Sequence, residues 1–245
     1  MNMDINILNI LGAGLYRRLI STVYPPRCVL CGSPGFSDMD ICEVCYHDLP
    51  WIGSACTQCA IPLAKHSGDH LKCGLCLKKP PAFDRSLSLF SYEKEAVTSI
   101  HQLKFNEKLA NSRLLGNMLA DAIDKNAIEL PDCILPVPLY KKRLRLRGYN
   151  QSIELARPVA NRLDIPLDLQ SVKRVRDTQS QTGLDKKQRR KNIRAAFEIV
   201  EPLSAQHVAV VDDVVTTTST TNELAYILKK SGVERVDVWS IARAL

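Results

Sequence analysis

One short stretch, VAVVDDVVTTTSTT at residues 208–221, limits what this chain can fold into more than any other feature. Its β-branched first half predicts a buried parallel strand, and the periodic segment 222–230 predicts the helix that follows. A strand-loop-helix unit of this kind indicates an α/β protein with a mainly parallel sheet. Between strand and helix lie five hydroxyl side chains, those of Thr216, Thr217, Thr218, Ser219 and Thr220.

The hydroxyl-rich loop is typical of a phosphate site, because free backbone N–H groups and the helix dipole point at an anion there. Asp212 and Asp213 end the strand, where open α/β sheets place ligands, and carboxylates there bind sugar hydroxyls or a hydrated Mg²⁺. A helix cap is the alternative role for the hydroxyls. Two adjacent carboxylates, however, would repel each other in a dry site without a ligand or cation. The pattern therefore favours a ribose phosphate.

Four C-x-x-C pairs contain eight of the nine cysteines. Four thiolates hold one tetrahedral zinc ion, and the C-x-x-C turn brings two sulfurs to the same ion, so the pairs predict two structural Zn²⁺ ions. A cross-braced arrangement is the alternative to pairing in chain order. Chain order gives one site from Cys28, Cys31, Cys42 and Cys45 and another from Cys56, Cys59, Cys73 and Cys76. Cys133, in an apolar run, is predicted to be a buried strand residue.

Composition and hydropathy indicate a globular chain of 245 residues, 45% apolar and 24% charged. No run approaches the roughly 18 apolar residues that a membrane span requires, so no integral membrane segment is expected. Segment 1–23 has apolar residues at helical spacing, with an acid before them and arginines among them. It predicts an amphipathic helix that packs on the body or contacts a membrane surface or partner, rather than a signal peptide. We expect a cytoplasmic protein.

Positive charge is concentrated in residues 141–194, which we call the basic belt. The belt holds 16 Lys and Arg against 5 Asp and Glu, a net +11, so the rest of the chain carries −4 of the total of +7. Such segregation is typical of a surface that binds a polyanion, although charge runs also occur on solvated faces. Few aromatic residues interleave the belt, so contact with a nucleic-acid backbone is expected rather than base stacking. The candidate residues are Lys141, Lys142, Arg143, Arg145, Arg147, Arg176, Lys186, Lys187, Arg189, Arg190 and Lys191.

The stretch VVDDVVTTTST resembles the phosphoribosyl-pyrophosphate loop of type I phosphoribosyltransferases. Within that superfamily, the motifs PVPLYKKRLRLRGYNQS, RVRDTQSQTGL and RRKNIRAAF are similar to the ComF/GntX family, and the similarity runs from about Cys28 to the C-terminus. It implies a type I phosphoribosyltransferase-like, mainly parallel sheet with helices on both faces, plus an N-terminal double zinc ribbon. The family usually has glycine where this chain has Thr218. A β-branched residue tolerates positive φ poorly, which predicts weaker phosphate binding.

The domain boundaries follow from the cysteines and from Pro80 and Pro81, which disfavour helix. We predict an amphipathic helix over 1–23, a double zinc ribbon over 24–80 and a phosphoribosyltransferase-like domain over 81–245. The resemblance implies that a strand at 83–92 and helices at 95–105 and 109–124 form a cap beside the site, with Lys104 near the ligand.

The segment after the cap is predicted to carry the polyanion-binding loops. The first core strand is predicted at 133–138, followed by a basic loop over 141–147 and a helix that residues 148–151 open and that runs through Leu163. The resemblance implies that the basic loop holds pyrophosphate. Residues 176–184 are polar and aperiodic, which is typical of a mobile loop that closes over a ligand.

The resemblance implies a role in natural competence and DNA uptake or utilisation, with single-stranded DNA and other DNA-uptake proteins as partners. One hypothesis is an adaptor that binds single-stranded DNA and a ribose phosphate, either phosphoribosyl pyrophosphate or a nucleotide. The alternative is an active phosphoribosyltransferase, in which Asp212 and Asp213 hold the ribose and Mg²⁺ assists departure of pyrophosphate. The basic belt favours DNA binding, and fold alone does not establish turnover.

Overall fold

The structure is a computed structural model of the chain, and it describes residues 25–37, 39–64, 71–92, 109–126, 128–177 and 193–244. Contacts divide the chain into a small unit, Met1–Leu49, and a large unit, Pro50–Leu245. Several predicted features lie outside the described residues: the helices at 1–23 and 95–105, nearly all of the loop at 176–184, and the side chains of Lys104, Lys186, Lys187, Arg189, Arg190 and Lys191.

The small unit is built around tight turns at its cysteines. Cys28 N–H donates to the Ser33 carbonyl and Gly32 N–H to the Cys28 carbonyl, both at 2.8 Å. Gly32 has a φ of +79°, a conformation that glycine adopts without steric cost. The second pair begins at the helix α1 (Glu43–His47), where Cys42 Sγ accepts from Cys45 N–H at 3.5 Å.

The large unit alternates strands and helices. Its described elements are α2 (Gly74–Lys78), β1 (Arg85–Ser91), α3 (Leu109–Lys125), β2 (Cys133–Pro136), α4 (Lys141–Arg147), α5 (Gln151–Leu163), β3 (Val172–Arg174), β4 (Phe197–Ile199), β5 (His207–Val215), α6 (Ser219–Lys230) and β6 (Arg235–Arg243).

A parallel sheet forms the centre of the large unit, with four strands among the described residues in the order β1-β6-β5-β2. Val208 to Val211 are fully buried, which confirms the predicted buried parallel strand. Cys133 is buried in β2, as predicted. Burial raises the pKa of its thiol to about 12, with Asp168 and Asp132 adding to the effect, so this cysteine remains a protonated structural residue.

Helices pack on both faces of this sheet. Strand residues alternate between faces, and Val208, Val210 and Val236 pack with Leu224 and Leu228 of α6 in one core cluster. Among the described residues, that cluster contains no side chain of α3 or α5, which pack on each other and on the same strands. The arrangement confirms the predicted phosphoribosyltransferase-like fold class.

A glycine sets how closely α3 and α5 approach. A Cβ at Gly116 of α3 would lie 2.7 Å from the Leu155 carbonyl oxygen and would collide with the Pro158 ring, both in α5. The structure confirms the helix predicted at 109–124, which is α3, and the helix predicted to open at 148–151 and to run through Leu163, which is α5. Asn150 caps α5, because its side chain accepts from Ser152 N–H at 3.0 Å.

Two of the sequence predictions are wrong. The basic segment 141–147 is the helix α4 rather than a loop; its Lys, Arg and Leu residues are good helix formers, and Gly148 ends it with a φ of 81° and an N–H bond to the Leu144 carbonyl. The strand predicted to belong to a cap is β1, which pairs with β6 in the main sheet. An alternating pattern predicts a strand without showing which strand it pairs with.

An antiparallel ribbon of β3 and β4 flanks the segment 178–192. The Arg174 guanidinium carbon lies 5.4 Å from the centre of the Phe197 ring, so a cation on β3 packs on an aromatic residue of β4. Across the described ranges of the chain, no helix combines the length and the apolar character that a membrane crossing requires.

Candidate functional site

The paired cysteines form two groups in chain order, which confirms the predicted pairing. Within each group the sulfurs lie within 4.8 Å of one another, with 3.6 Å between Cys31 and Cys42 and 3.7 Å between Cys59 and Cys73. A zinc ion bound at about 2.3 Å by four tetrahedral thiolates separates its sulfurs by about 3.8 Å. Both groups therefore have the spacing and the chemistry of a structural zinc site. Their members are Cys28, Cys31, Cys42 and Cys45, and Cys56, Cys59, Cys73 and Cys76.

The second cysteine group is part of the hydrophobic core of the large unit. Cys56, Cys59 and Cys76 are buried and belong to the same cluster as Phe83 and the sheet valines. Cys73 N–H donates to Cys56 Sγ at 3.2 Å, a bond that favours a thiolate. Loss of this metal site would therefore disturb the packing of the sheet.

The predicted phosphate loop joins β5 to α6. Thr218 has a φ of 58° and a ψ of 3°, the left-handed conformation that the family glycine at this position implied. Its hydroxyl donates to the Thr217 carbonyl at 2.6 Å, and the hydroxyls of Thr217 and Ser219 are 2.9 Å apart. The threonine side chain is thus accommodated in a conformation that costs an L-residue about 1–2 kcal/mol.

Asp212 connects the end of β5 to the start of α5. Its Oδ1 accepts from the Ser152 hydroxyl at 3.2 Å and from Asp213 N–H at 2.9 Å, while Asp213 Oδ1 accepts from Val214 N–H at 2.7 Å. Both carboxylates are half-buried. The sequence analysis did not single out Ser152, although it lies within the family motif that begins at Pro136.

Arg174 lies near Asp212 and near a second arginine, Arg143. Burial, together with the charge of Arg143, lowers the pKa of Arg174 to about 10, whereas the charges of Asp212 and Asp177 oppose the shift. Arg143 Nε lies 3.7 Å from Asp177 Oδ1. The charges of Arg143 and Arg174 repel each other, so an anion bound between them would be stabilised. Sequence reasoning missed Arg174, although it begins one of the family motifs.

The remaining belt residues divide into exposed and half-buried sets. Lys141, Lys142 and Arg145 of α4 are exposed, and in the part of the chain that is described no carboxylate lies within 4 Å of them. Arg147 is half-buried. Arg176 donates to the Arg194 carbonyl at 2.5 Å and so joins the two ends of the segment 177–193.

A buried arginine links the cysteine group to the phosphate loop. Arg243, 6% exposed, donates through Nε to the Cys59 carbonyl at 2.8 Å and through Nη1 to the Val215 carbonyl at 3.0 Å. The carbonyl oxygens of Thr216 and Ala244 also accept from Nη1. The sequence analysis missed this residue; its signal is a lone cation at the end of the apolar run of β6.

Comparisons with known proteins match both parts of the chain. Residues 19–77 match the model of the double zinc ribbon domain, and residues 150–244 match that of the phosphoribosyl transferase domain. The chain is 38% identical to the DNA utilization protein YhgH of Salmonella typhimurium and of Escherichia coli K12, over 90% of this chain and 98% of each relative. It is 35% identical to competence protein F of Haemophilus influenzae, over 89% of this chain and 97% of that protein.

Proposed function

Because the chain belongs to the ComF/GntX family of phosphoribosyltransferase-like proteins, we propose that it binds single-stranded DNA and a ribose-phosphate ligand in the cytoplasm during DNA uptake and utilisation. Relatives that share nearly its whole length are named for DNA utilisation and competence. The observation that carries the DNA proposal is the helix α4, whose exposed cations continue toward Arg143 and Arg174.

The surface of α4 suits a sugar-phosphate backbone more than a folded acidic protein. Lys141 and Lys142 are exposed on the first turn, and Arg145 follows on the next. Among the described residues, these flexible cations have no carboxylate partner. They can neutralise phosphates and release counterions, and this contribution to binding does not depend on the base sequence. We therefore expect binding of single strands with little sequence preference.

The DNA proposal is tested by the salt dependence of binding. The double variant Lys141→Ala/Lys142→Ala should flatten the slope of log affinity against log salt by about 1.4, because each neutralised phosphate on a single strand contributes roughly 0.7. Fluorescence anisotropy of a labelled oligothymidylate over a range of salt concentrations measures the slope.

The matched control is Arg113→Ala/Lys125→Ala, which removes the same charge from the exposed surface of α3, outside the basic belt. This control should keep the parent slope. Equal slopes for both double variants would mean that Lys141 and Lys142 do not contact DNA phosphates. A parent protein that binds no single-stranded DNA would refute the DNA proposal.

We propose further that the loop at residues 216–220, with Asp212 and Asp213, binds a ribose 5-phosphate group such as that of phosphoribosyl pyrophosphate. Support comes from the loop position at the start of the twelve-residue helix α6 and at the carboxyl end of a parallel strand. Arg174 lies near Asp212 and near Arg143, and this pair of cations suits the pyrophosphate. Mg²⁺ would enter with the ligand, held by phosphate oxygens and carboxylates.

Titration calorimetry with phosphoribosyl pyrophosphate and Mg²⁺ tests the ligand proposal. Asp212→Asn/Asp213→Asn should weaken binding at least ten-fold, since the ribose hydroxyls would lose charged acceptors, each worth roughly 1.5–3 kcal/mol. Thr218→Gly should strengthen it, because a residue without Cβ lets backbone N–H groups approach a phosphate closely. Parent-like affinity in the double Asn variant would place the ligand elsewhere.

Turnover of phosphoribosyl pyrophosphate is the second candidate function, favoured by the proximity of Arg174 to Asp212 and to Arg143. The arginines would bind the leaving pyrophosphate, and the carboxylates would orient the ribose. If the protein is an enzyme, Arg143→Ala should lower the rate of pyrophosphate release. Its DNA affinity should fall only by the contribution of one phosphate contact. A coupled pyrophosphate assay with candidate acceptors measures it.

A further inference from the structure

A cleft of about 700 Å³ lies within the large unit between the second cysteine group and α6. Leu75 and Lys79 line it beside the cysteines, and Glu223 and Tyr226 line it from α6. Its volume is within the roughly 300–1,000 Å³ of ligand pockets. We call it the α6 cleft. Asp212 and Asp213 do not line it, but it reaches the loop at 216–219, so it extends from the proposed phosphate site along α6.

Hydrogen bonds hold the walls of the α6 cleft in place. Glu223 Oε1 accepts from Ala195 N–H at 2.7 Å, which fixes the segment before β4 to α6. Asn222 Oδ1 accepts from Ala82 N–H at 2.7 Å, which fixes the chain after the cysteine group to the same helix. The cleft is therefore formed before any ligand enters, which lowers the entropic cost of binding.

The charge of the α6 cleft is positive. Lys79, Arg194 and Arg243 line it against one carboxylate, Glu223. Arg243 donates to backbone carbonyls, which do not neutralise its charge. Within the described ranges, no carboxylate lies within 4 Å of Lys79 or Arg194. The cleft thus favours an anionic ligand.

An exposed aromatic side chain sets this cleft apart from the basic belt. Tyr226 is 56% exposed on α6, and Leu75, which lines the same cleft, is 61% exposed. Exposed aromatic rings stack on nucleobases regardless of base identity, and cations beside them bind the connecting phosphates. The sequence analysis expected little stacking because it considered only residues 141–194.

We propose that the α6 cleft is the base-binding part of the single-stranded DNA site, with a nucleobase stacked on Tyr226 and the adjoining phosphates near Lys79 and Arg194. The inference rests on the proposed DNA-binding function and adds Tyr226 and Lys79, which lie outside the basic belt, to Arg194 at the end of the belt. A partner protein that buries Tyr226 and Leu75 is a different occupant, which the experiment below separates.

The experiment compares the affinity of parent, Tyr226→Ala and Tyr226→Phe for a labelled oligothymidylate and for an abasic strand of equal length. Tyr226→Ala should weaken the oligothymidylate about ten-fold, since stacking on one base is worth roughly 1–3 kcal/mol. Tyr226→Phe should retain parent affinity, because the ring is kept. The abasic strand should bind all three proteins equally. Leu130→Ala, an exposed apolar residue outside the cleft, is the matched control and should bind as the parent does.

Photocrosslinking tests the contact between Tyr226 and a base in the parent protein, without a substitution. A strand containing 5-iododeoxyuridine should crosslink to Tyr226 of the parent protein under ultraviolet light, as identified by mass spectrometry of the peptides. The double variant Lys79→Ala/Arg194→Ala should flatten the salt slope by about 1.4 on both strands.

The outcomes distinguish this inference from the proposed function. If Tyr226→Ala binds oligothymidylate like the parent while Lys141→Ala/Lys142→Ala still flattens the slope, the cleft is not a DNA site and the belt proposal stands. Equal weakening of the abasic strand by Tyr226→Ala would also refute base stacking. A parent protein that binds neither strand overturns both proposals.

Discussion

Replacing Cys59 by serine is expected to remove one of two zinc ions per chain and to unfold the large unit, whereas Cys31→Ser removes the other ion and leaves the large unit folded. Cys59 is 5% exposed and belongs to the cluster that includes Phe83 and the sheet valines. Cys31 is exposed and lies in the small unit. Structural zinc contributes about 10–16 kcal/mol in zinc-finger peptides, which is as large as the roughly 5–15 kcal/mol stability of a typical domain.

Metal analysis and thermal unfolding measure this result together. The parent should contain two zinc ions per chain, and each variant should contain one. The main unfolding transition should survive in Cys31→Ser and should be lost or strongly lowered in Cys59→Ser. One zinc or none in the parent would contradict the zinc proposal. Equal transitions in the two variants would mean that the second metal site is not coupled to the sheet.

Replacing Arg243 by methionine is expected to lower the free energy of unfolding of the large unit by about 2–4 kcal/mol, because buried carbonyl oxygens lose their donor. The carbonyls belong to Cys59, Val215, Thr216 and Ala244, so the variant also loosens the link between the second cysteine group and the phosphate loop. Zinc should therefore leave this variant faster when a chelator is added. Methionine keeps much of the side-chain volume, which limits the effect of an added cavity.

Arg157→Met is the matched control for this change. Its side chain is 56% exposed, and its contact with Glu154 is an exposed pair at 3.7 Å. Removing it should change stability by no more than about 0.5 kcal/mol. Denaturant unfolding gives the free energies, and a zinc indicator dye gives the release rates. If both variants unfold at the same denaturant concentration, the Arg243 network does not stabilise the fold.

The sequence alone determined the features that depend on local chemistry. The β-branched run before Asp212 predicted β5, because a continuous stretch of β-branched apolar residues is typical of a buried parallel strand. The spacing of the C-x-x-C pairs predicted both cysteine groups, since two thiols that close together in the chain reach the same metal. Helical periodicity predicted α3 to within one residue at either end, and the end of α5 at Leu163 was also predicted.

Only the tertiary structure decided how these parts combine. The pattern of β1 does not show that its partner is β6, because strand pairing depends on contacts distant in sequence. Likewise, a basic run is compatible with either a loop or a helix. In the structure, residues 141–147 form the helix α4, which ends at Gly148 just before α5 begins.

The residues of the proposed binding surfaces were also brought together only by the tertiary structure. Arg174 comes near Asp212, and Tyr226 comes to share a cleft with Lys79, because separate segments meet at the carboxyl ends of the strands and along α6. Arg243 reaches the Cys59 carbonyl across 184 positions in the chain. Hydrogen bonds and charges act over a few ångströms in space, whereas sequence patterns report only on neighbours along the chain. Most of the individual strands and helices were therefore foreseeable from local patterns, whereas their pairing and the composition of the binding surfaces were not.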